Sequence, residues 1–201
     1  MSQCYYQKRN LLIVPNKCAS VSISSVLSRI PVHTPEIAQI FAGRRGVAVW
    51  ATTRNPVDYF VSGYRYLYHA KENDVLVAQT FLDHMKYCAD QWALNSTEYP
   101  GYFGGHAWWG PLRTVRLDWG IDQPINWIKL EDPNSLWLHM RKLYRIKMDR
   151  TVRLNTSPKT PAIEFTDTAI DLIKQLENWS EECDYDIESR AETLARTINT
   201  V

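Results

Sequence analysis

The sequence predicts an α/β protein: three layers, with a short, mostly parallel β-sheet flanked by helices. Two strand-to-helix transitions and one long helical stripe carry that prediction. The first transition lies in LLIVPNKCASVSISSVL at 11–27. Leu11, Leu12, Ile13 and Val14 form a continuous apolar run closed by Pro15, the pattern of a strand covered on both faces. Ile23, Val26, Leu27 and Ile30 then recur at helical spacing until Pro31 stops them. The second transition is VAVWAT at 47–52, rich in β-favouring side chains, which runs through Thr53, Arg54 and Asn55 into a helix. Asn55 suits the N-cap, Pro56 the first helical position, and Asp58 answers the helix dipole in the first turn. The stripe is Ala169, Leu172, Ile173, Leu176 and Trp179, opened by Thr166 and Asp167.

Composition bounds the rest. A chain of 201 residues fits one domain, 1–201, with a real core. Lys and Arg total 23 against 22 Asp and Glu, so no whole-chain field points to nucleic acid. No run approaches the roughly 18 apolar residues of a membrane span, and the apolar run behind Lys8 and Arg9 is too short for a signal-peptide core. Cys4, Cys18, Cys88 and Cys183 are scattered without a CxxC pair. They read as reduced thiols of a cytoplasmic protein, not as a zinc site or a disulfide frame.

Along the chain, residues 1–10 read as a polar lead-in. Val32, His33 and Thr34 suggest a very short strand, Glu36 to Phe41 a small helix, and the Gly43-Arg44-Arg45-Gly46 segment a turn. Further helices are expected over 81–92, with Phe81, Leu82, Met85, Cys88, Ala89 and Trp92 on one face, and over 135–144, carrying Leu136, Leu138, Met140 and Leu143.

The two transitions also suggest chemistry. Lys17 with the small residues Cys18, Ala19, Ser20, Val21 and Ser22 stands where a helix begins, and free N–H groups there suit an anion, phosphate above all. The loop has no glycine and so departs from the GxxxxGK[ST] pattern. Arg54 ends the second strand, and Ser62 lies about two turns into the helix that follows. Ligands of open parallel sheets bind where carboxyl ends of strands meet helix N-termini, and an arginine fork with a hydroxyl suits a second phosphate. Taken singly, a solvated lysine, a surface arginine and a backbone-bonded serine account for each feature more simply.

Together the two stretches resemble the sulfotransferase family that uses 3′-phosphoadenosine 5′-phosphosulfate (PAPS), most closely its carbohydrate-type branch. The segment from Asn16 to Ile23 is similar to that family's 5′-phosphosulfate loop, and Arg54-Asn55-Pro56 with Ser62, Gly63 and Tyr64 to its 3′-phosphate motif. Weaker echoes are the INWIKLED segment at 125–132, Leu154-Asn155-Thr156-Ser157, and the closing region around Cys183-Asp184-Tyr185-Asp186. Val21 departs from the family, which usually has threonine there, so one hydroxyl contact to the 5′ phosphate is in doubt.

The resemblance implies a P-loop-like sulfotransferase fold and an in-line transfer of the sulfuryl group to an acceptor hydroxyl, expected to be a glycan's. PAPS is the implied donor, adenosine 3′,5′-bisphosphate the product, and no metal is required. Lys17 and the N–H groups of residues 19–22 would stabilise charge on the leaving group, while Arg54 and Ser62 would hold the 3′ phosphate. His33 is favoured as the general base because the short strand expected at 32–34 would bring it to the same sheet edge. The resemblance places the base between the two motifs, an interval that also holds Glu36, the second choice, and His106 stays a third candidate. His106 and Trp108, in a glycine- and aromatic-rich stretch at 101–110, resemble the acceptor-side loop, although a tryptophan pair sealing a core fits them equally. Arg153 and Lys159 would reach back to the nucleotide in the same scheme, with surface charge the simpler alternative. Two other functions compete. A nucleotide phosphotransferase predicts a GK[ST] loop and a magnesium-holding aspartate, and the sequence shows neither. A non-catalytic nucleotide or sulfated-ligand binding module keeps the pocket without the base.

Overall fold

A computed structural model describes residues 3–15, 18–69, 80–93, 110–145, 163–177 and 180–198. The chain divides into two compact units, Met1–Arg54 with Pro111–Thr156, and Asn55–Gly110 with Ser157–Val201.

The first unit is built on a sheet of four strands, β1 (Gln3–Gln7), β2 (Asn10–Val14), β3 (Ala48–Thr53) and β4 (Ile125–Lys129), lying in that order. Strands β2, β3 and β4 run parallel, and β1 pairs antiparallel with β2. Parallel neighbours need a crossover. Between β2 and β3 it holds α1 (Ser20–Val26) and α2 (Pro35–Ala42). Before β4 the chain makes α5 (Pro111–Arg113), which runs into a π-helical turn, Thr114–Asp118, and α6 (Pro133–Tyr144) follows β4.

Alternation along the strands sorts the apolar side chains onto two faces. Tyr5, Leu12, Val14 and Ile128 pack with Ile23 and Leu27 at α1 and with Leu136, Met140, Leu143 and Tyr144 of α6. Cys4, Leu11, Ile13, Val49 and Ala51 pack with Ala38 and Ala42 of α2 and with Val115, Trp119 and Ile121. The sheet is therefore flanked by helices on both faces, as the run of uninterrupted apolar residues in β2 requires. Each fully buried Leu or Ile in these layers contributes about 1.5–3 kcal/mol of burial free energy.

The second unit is helical among its described residues: α3 (Pro56–His69), α4 (Phe81–Ala93), α7 (Asp167–Leu176), a 3₁₀ turn at Ser180–Cys183, and α8 (Ile187–Ile198). Asn55 Oδ1 accepts from the Val57 N–H at 3.0 Å, which caps α3 as its sequence predicts. Thr80 and Asp83 cap α4 reciprocally, and Thr166 Oγ1 accepts from the Ala169 N–H at the start of α7. Phe81 meets Tyr64 and Phe165 edge-on, with centroids 5.8 and 5.4 Å apart.

Several expectations need correction. The polar lead-in contains β1: Cys4 and Tyr5 are buried, and the flanking Gln3 and Gln7 hid them. The helix after β2 ends at Val26, with Leu27 as its cap, so Ile30 packs on the core from outside the helix. Leu138 of α6 is 63 % exposed, because it sits off the Leu136–Met140–Leu143 face. Helix α8 went unexpected although Ile187, Ala191, Leu194 and Ala195 recur at helical spacing, and α5, a single turn of three residues, is too short to leave a stripe.

Candidate functional site

Two strand exits lie side by side. β2 and β3 are adjacent and parallel with Ile13 opposite Ala51, so their carboxyl ends emerge next to each other, about 4.8 Å apart. The loop after β2 is fastened there: the Cys18 N–H donates to the Pro15 carbonyl, and Thr52 Oγ1 donates to the Cys18 carbonyl, both at 3.2 Å. Ala19 caps α1 in the left-handed region (φ 61°), a conformation that disfavours a residue with a Cβ by about 1–2 kcal/mol. Ser20 opens α1, Ser22 is buried, and the first turn holds no acidic side chain.

Arg54 follows β3 directly and is half-buried. Among the described residues no hydrogen bond or ion pair engages its guanidinium. The preceding Thr53 is fully buried, and its hydroxyl has no hydrogen-bond partner there. Its carbonyl accepts from the Leu130 N–H at 3.0 Å, which brings the end of β4 onto the same edge. Lys129 is registered opposite Thr53. This cation escaped the sequence reading, since only its place as the last residue of β4 distinguishes it.

The candidate bases lie elsewhere on the sheet. The expected short strand is a single antiparallel bridge between Val32 and Tyr5, and the His33 N–H donates to the Cys4 carbonyl at 2.9 Å. His33 therefore runs along the outer edge of β1, about 10 Å, or two strand spacings, from β2. Its ring stands edge-on to Phe41 at 5.2 Å. Glu36 is exposed in the first turn of α2, where hydrogen bonds from Thr34 and its own backbone hold its carboxyl below the usual carboxylate range.

Ser62 is half-buried in α3 of the second unit, and its role rests on the motif. Asn16, Lys17, His106, Trp108, Arg153 and Lys159 lie outside the described residues, as does the side chain of Val21. The four cysteines are free and buried; burial pushes the Cys4 thiol up to about 12 and raises that of Cys88, so neither supplies a thiolate near neutral pH. Among the described residues, no helix is long and apolar enough to cross a membrane, and no three His, Cys, Asp or Glu side chains gather as metal ligands would.

In comparisons with known proteins the chain matches no family model, no curated protein and no solved structure.

Proposed function

We propose that the protein is a PAPS-dependent sulfotransferase of P-loop-like fold, transferring the sulfuryl group to an acceptor hydroxyl, with a glycan as the favoured acceptor. One observation carries the reading: the loop that bears Lys17 is tied by Thr52 to the end of the strand that delivers Arg54. Two cationic motifs recognised separately in the sequence thus belong to neighbouring exits of one parallel sheet edge, where α/β proteins bind nucleotides. Arg54, engaged by no other described group, is the fork for the 3′ phosphate that distinguishes this donor from ATP.

In the reaction the acceptor oxygen forms a bond to sulfur as the bond from sulfur to the bridging oxygen breaks. Adenosine 3′,5′-bisphosphate leaves, and the acceptor proton passes to a base. Lys17 and the N–H groups of residues 19–22 oppose the charge that grows on the bridging oxygen and the 5′ phosphate. The motif adds Ser62 as a 3′-phosphate hydroxyl. No resident metal enters the scheme. The four buried thiols support a reducing, cytoplasmic setting.

A second reading, a non-catalytic nucleotide-binding module, draws support from the station of His33 and Glu36 on the β1 side of the sheet. Titration calorimetry with adenosine 3′,5′-bisphosphate tests the donor site. Arg54→Ala is expected to weaken binding by about ten- to hundred-fold, the worth of a charge-assisted hydrogen bond. Tighter binding of ATP, or an indifferent Arg54→Ala, overturns the assignment. Lys17→Ala is expected to lose turnover of labelled PAPS with nucleotide binding largely kept. Binding without transfer to any glycan, phenol, lipid or protein acceptor selects the module instead.

A further inference from the structure

The sheet edge opposite the candidate donor site carries a second feature that the proposed activity does not use. Two turns meet there: the β1–β2 hairpin presents Lys8 and Arg9, and the turn between α2 and β3 presents Arg44 and Arg45. The Ala48 N–H donates to the Arg9 carbonyl at 2.9 Å, so the turns are neighbours, and the Arg9 guanidinium lies over Gly46. All four cations are exposed, and among the described residues no carboxylate pairs with any of them. The acids toward this edge, Asp118 and Asp122, belong to the stretch that enters β4. Like charges are concentrated here in a chain whose formal net charge is only +1.

An apolar stripe borders the cations. On α2, Ile37 and Ile40 are 39 % and 59 % exposed and lie one helical turn apart, and the helix runs out into the turn that carries Arg44. Val32, on the bridge leading into α2, is 57 % exposed. Arg44 is held at the end of the stripe by stacking over Phe41 at 4.7 Å, and Phe41 in turn lies flat on Tyr6. Glu36 is the one acid on the exposed part of α2.

We propose that this face docks on an anionic phospholipid surface. Charge complementarity selects an anionic partner. The exposed isoleucines beside the cations select a bilayer over a soluble polyanion, which has no apolar phase to receive them. Cations near an anionic leaflet each add affinity, and aliphatic side chains at the headgroup level add burial. Such binding is peripheral and reversible.

Flotation of the full chain with vesicles tests it. The protein is expected to float with phosphatidylcholine vesicles that contain phosphatidylserine, to stay behind with pure phosphatidylcholine, and to be released by salt. Reversing two cations, Arg9→Glu with Arg44→Glu, should lower partitioning about ten-fold or more. Ile37→Ser with Ile40→Ser should lower it several-fold; both positions are exposed, and an unchanged thermal midpoint verifies folding. Equal binding to both vesicle types, or none, overturns the proposal. So does retention on heparin that the isoleucine variant leaves intact without vesicle binding, which marks a soluble polyanion as partner. A concentration-dependent dimer abolished by the isoleucine variant, with no flotation, makes the face a contact between copies and overturns it equally.

Discussion

From sequence, Asp58 reads as a first-turn acid answering the dipole of its helix. In the fold its two oxygens accept from Arg190 Nε at 2.7 Å and Nη2 at 2.9 Å, so it also ties α3 to α8. The distant partner, 132 positions along the chain, was not legible, because nothing local marks which of many arginines returns to a given acid. Asp58 is buried and Arg190 half-exposed, which places the pair between a solvated bridge and a fully buried one. Asp58→Asn is expected to lower stability by about 1–3 kcal/mol, read from the midpoint of urea unfolding. Asn55→Ala, which removes the cap of α3, should cost about 1 kcal/mol in the same measurement. Arg54 is the opposite case. Its position after an apolar run and before Asn-Pro announced a strand exit, since breaker and cap residues act locally. Lys129 reaches the same edge through strand pairing, which one chain's pattern does not reveal.

At the scale of elements, legibility followed the strength of local signals. β2 and β3 were plain because strands buried on both faces are continuous in apolar residues, and α7 because Ala169, Ile173 and Leu176 line one stripe above a threonine cap. β1 was not, and its turn explains why. Lys8 and Arg9 both have positive φ, 48° and 64°, the pair of conformations that a two-residue hairpin of type I′ demands and that Asn-Gly would ordinarily announce. Neither lysine nor arginine has a side chain that favours the left-handed region, and each is disfavoured by about 1–2 kcal/mol. Replacing them with Asn-Gly should therefore stabilise the chain, by about 1 kcal/mol or more, seen as a raised thermal midpoint. A lower midpoint would mean that the cations stabilise the hairpin through contacts of their own. The same double substitution removes two of the four charges from the proposed membrane face, so greater stability and weaker flotation should arrive together.

Across the whole molecule, a near-balanced charge count conceals where titration matters. His84 of α4 is fully buried in the second unit, clustered with the rings of Tyr64 and Phe81, and its Nε2 lies 3.7 Å from Cys88 Sγ. Burial pushes its pKa down to about 3, so the folded chain keeps the ring neutral. Unfolded, the same imidazole titrates near its ordinary value of about 6.5. Between those values the unfolded chain binds the extra proton, so stability is full above about pH 6.5 and falls as the pH drops toward 3, with a slope approaching ~1.4 kcal/mol per pH unit. Urea unfolding at about pH 7 and about pH 5 should therefore show a loss of roughly 1–2 kcal/mol that His84→Gln largely abolishes, whatever that variant's own starting stability. Amide exchange, corrected for intrinsic rates, should accelerate over the same interval in α3, α4 and α7 more than in β2 and β3. An equal loss in parent and variant, or uniform acceleration in both units, would assign the acid sensitivity to carboxylates instead of this ring.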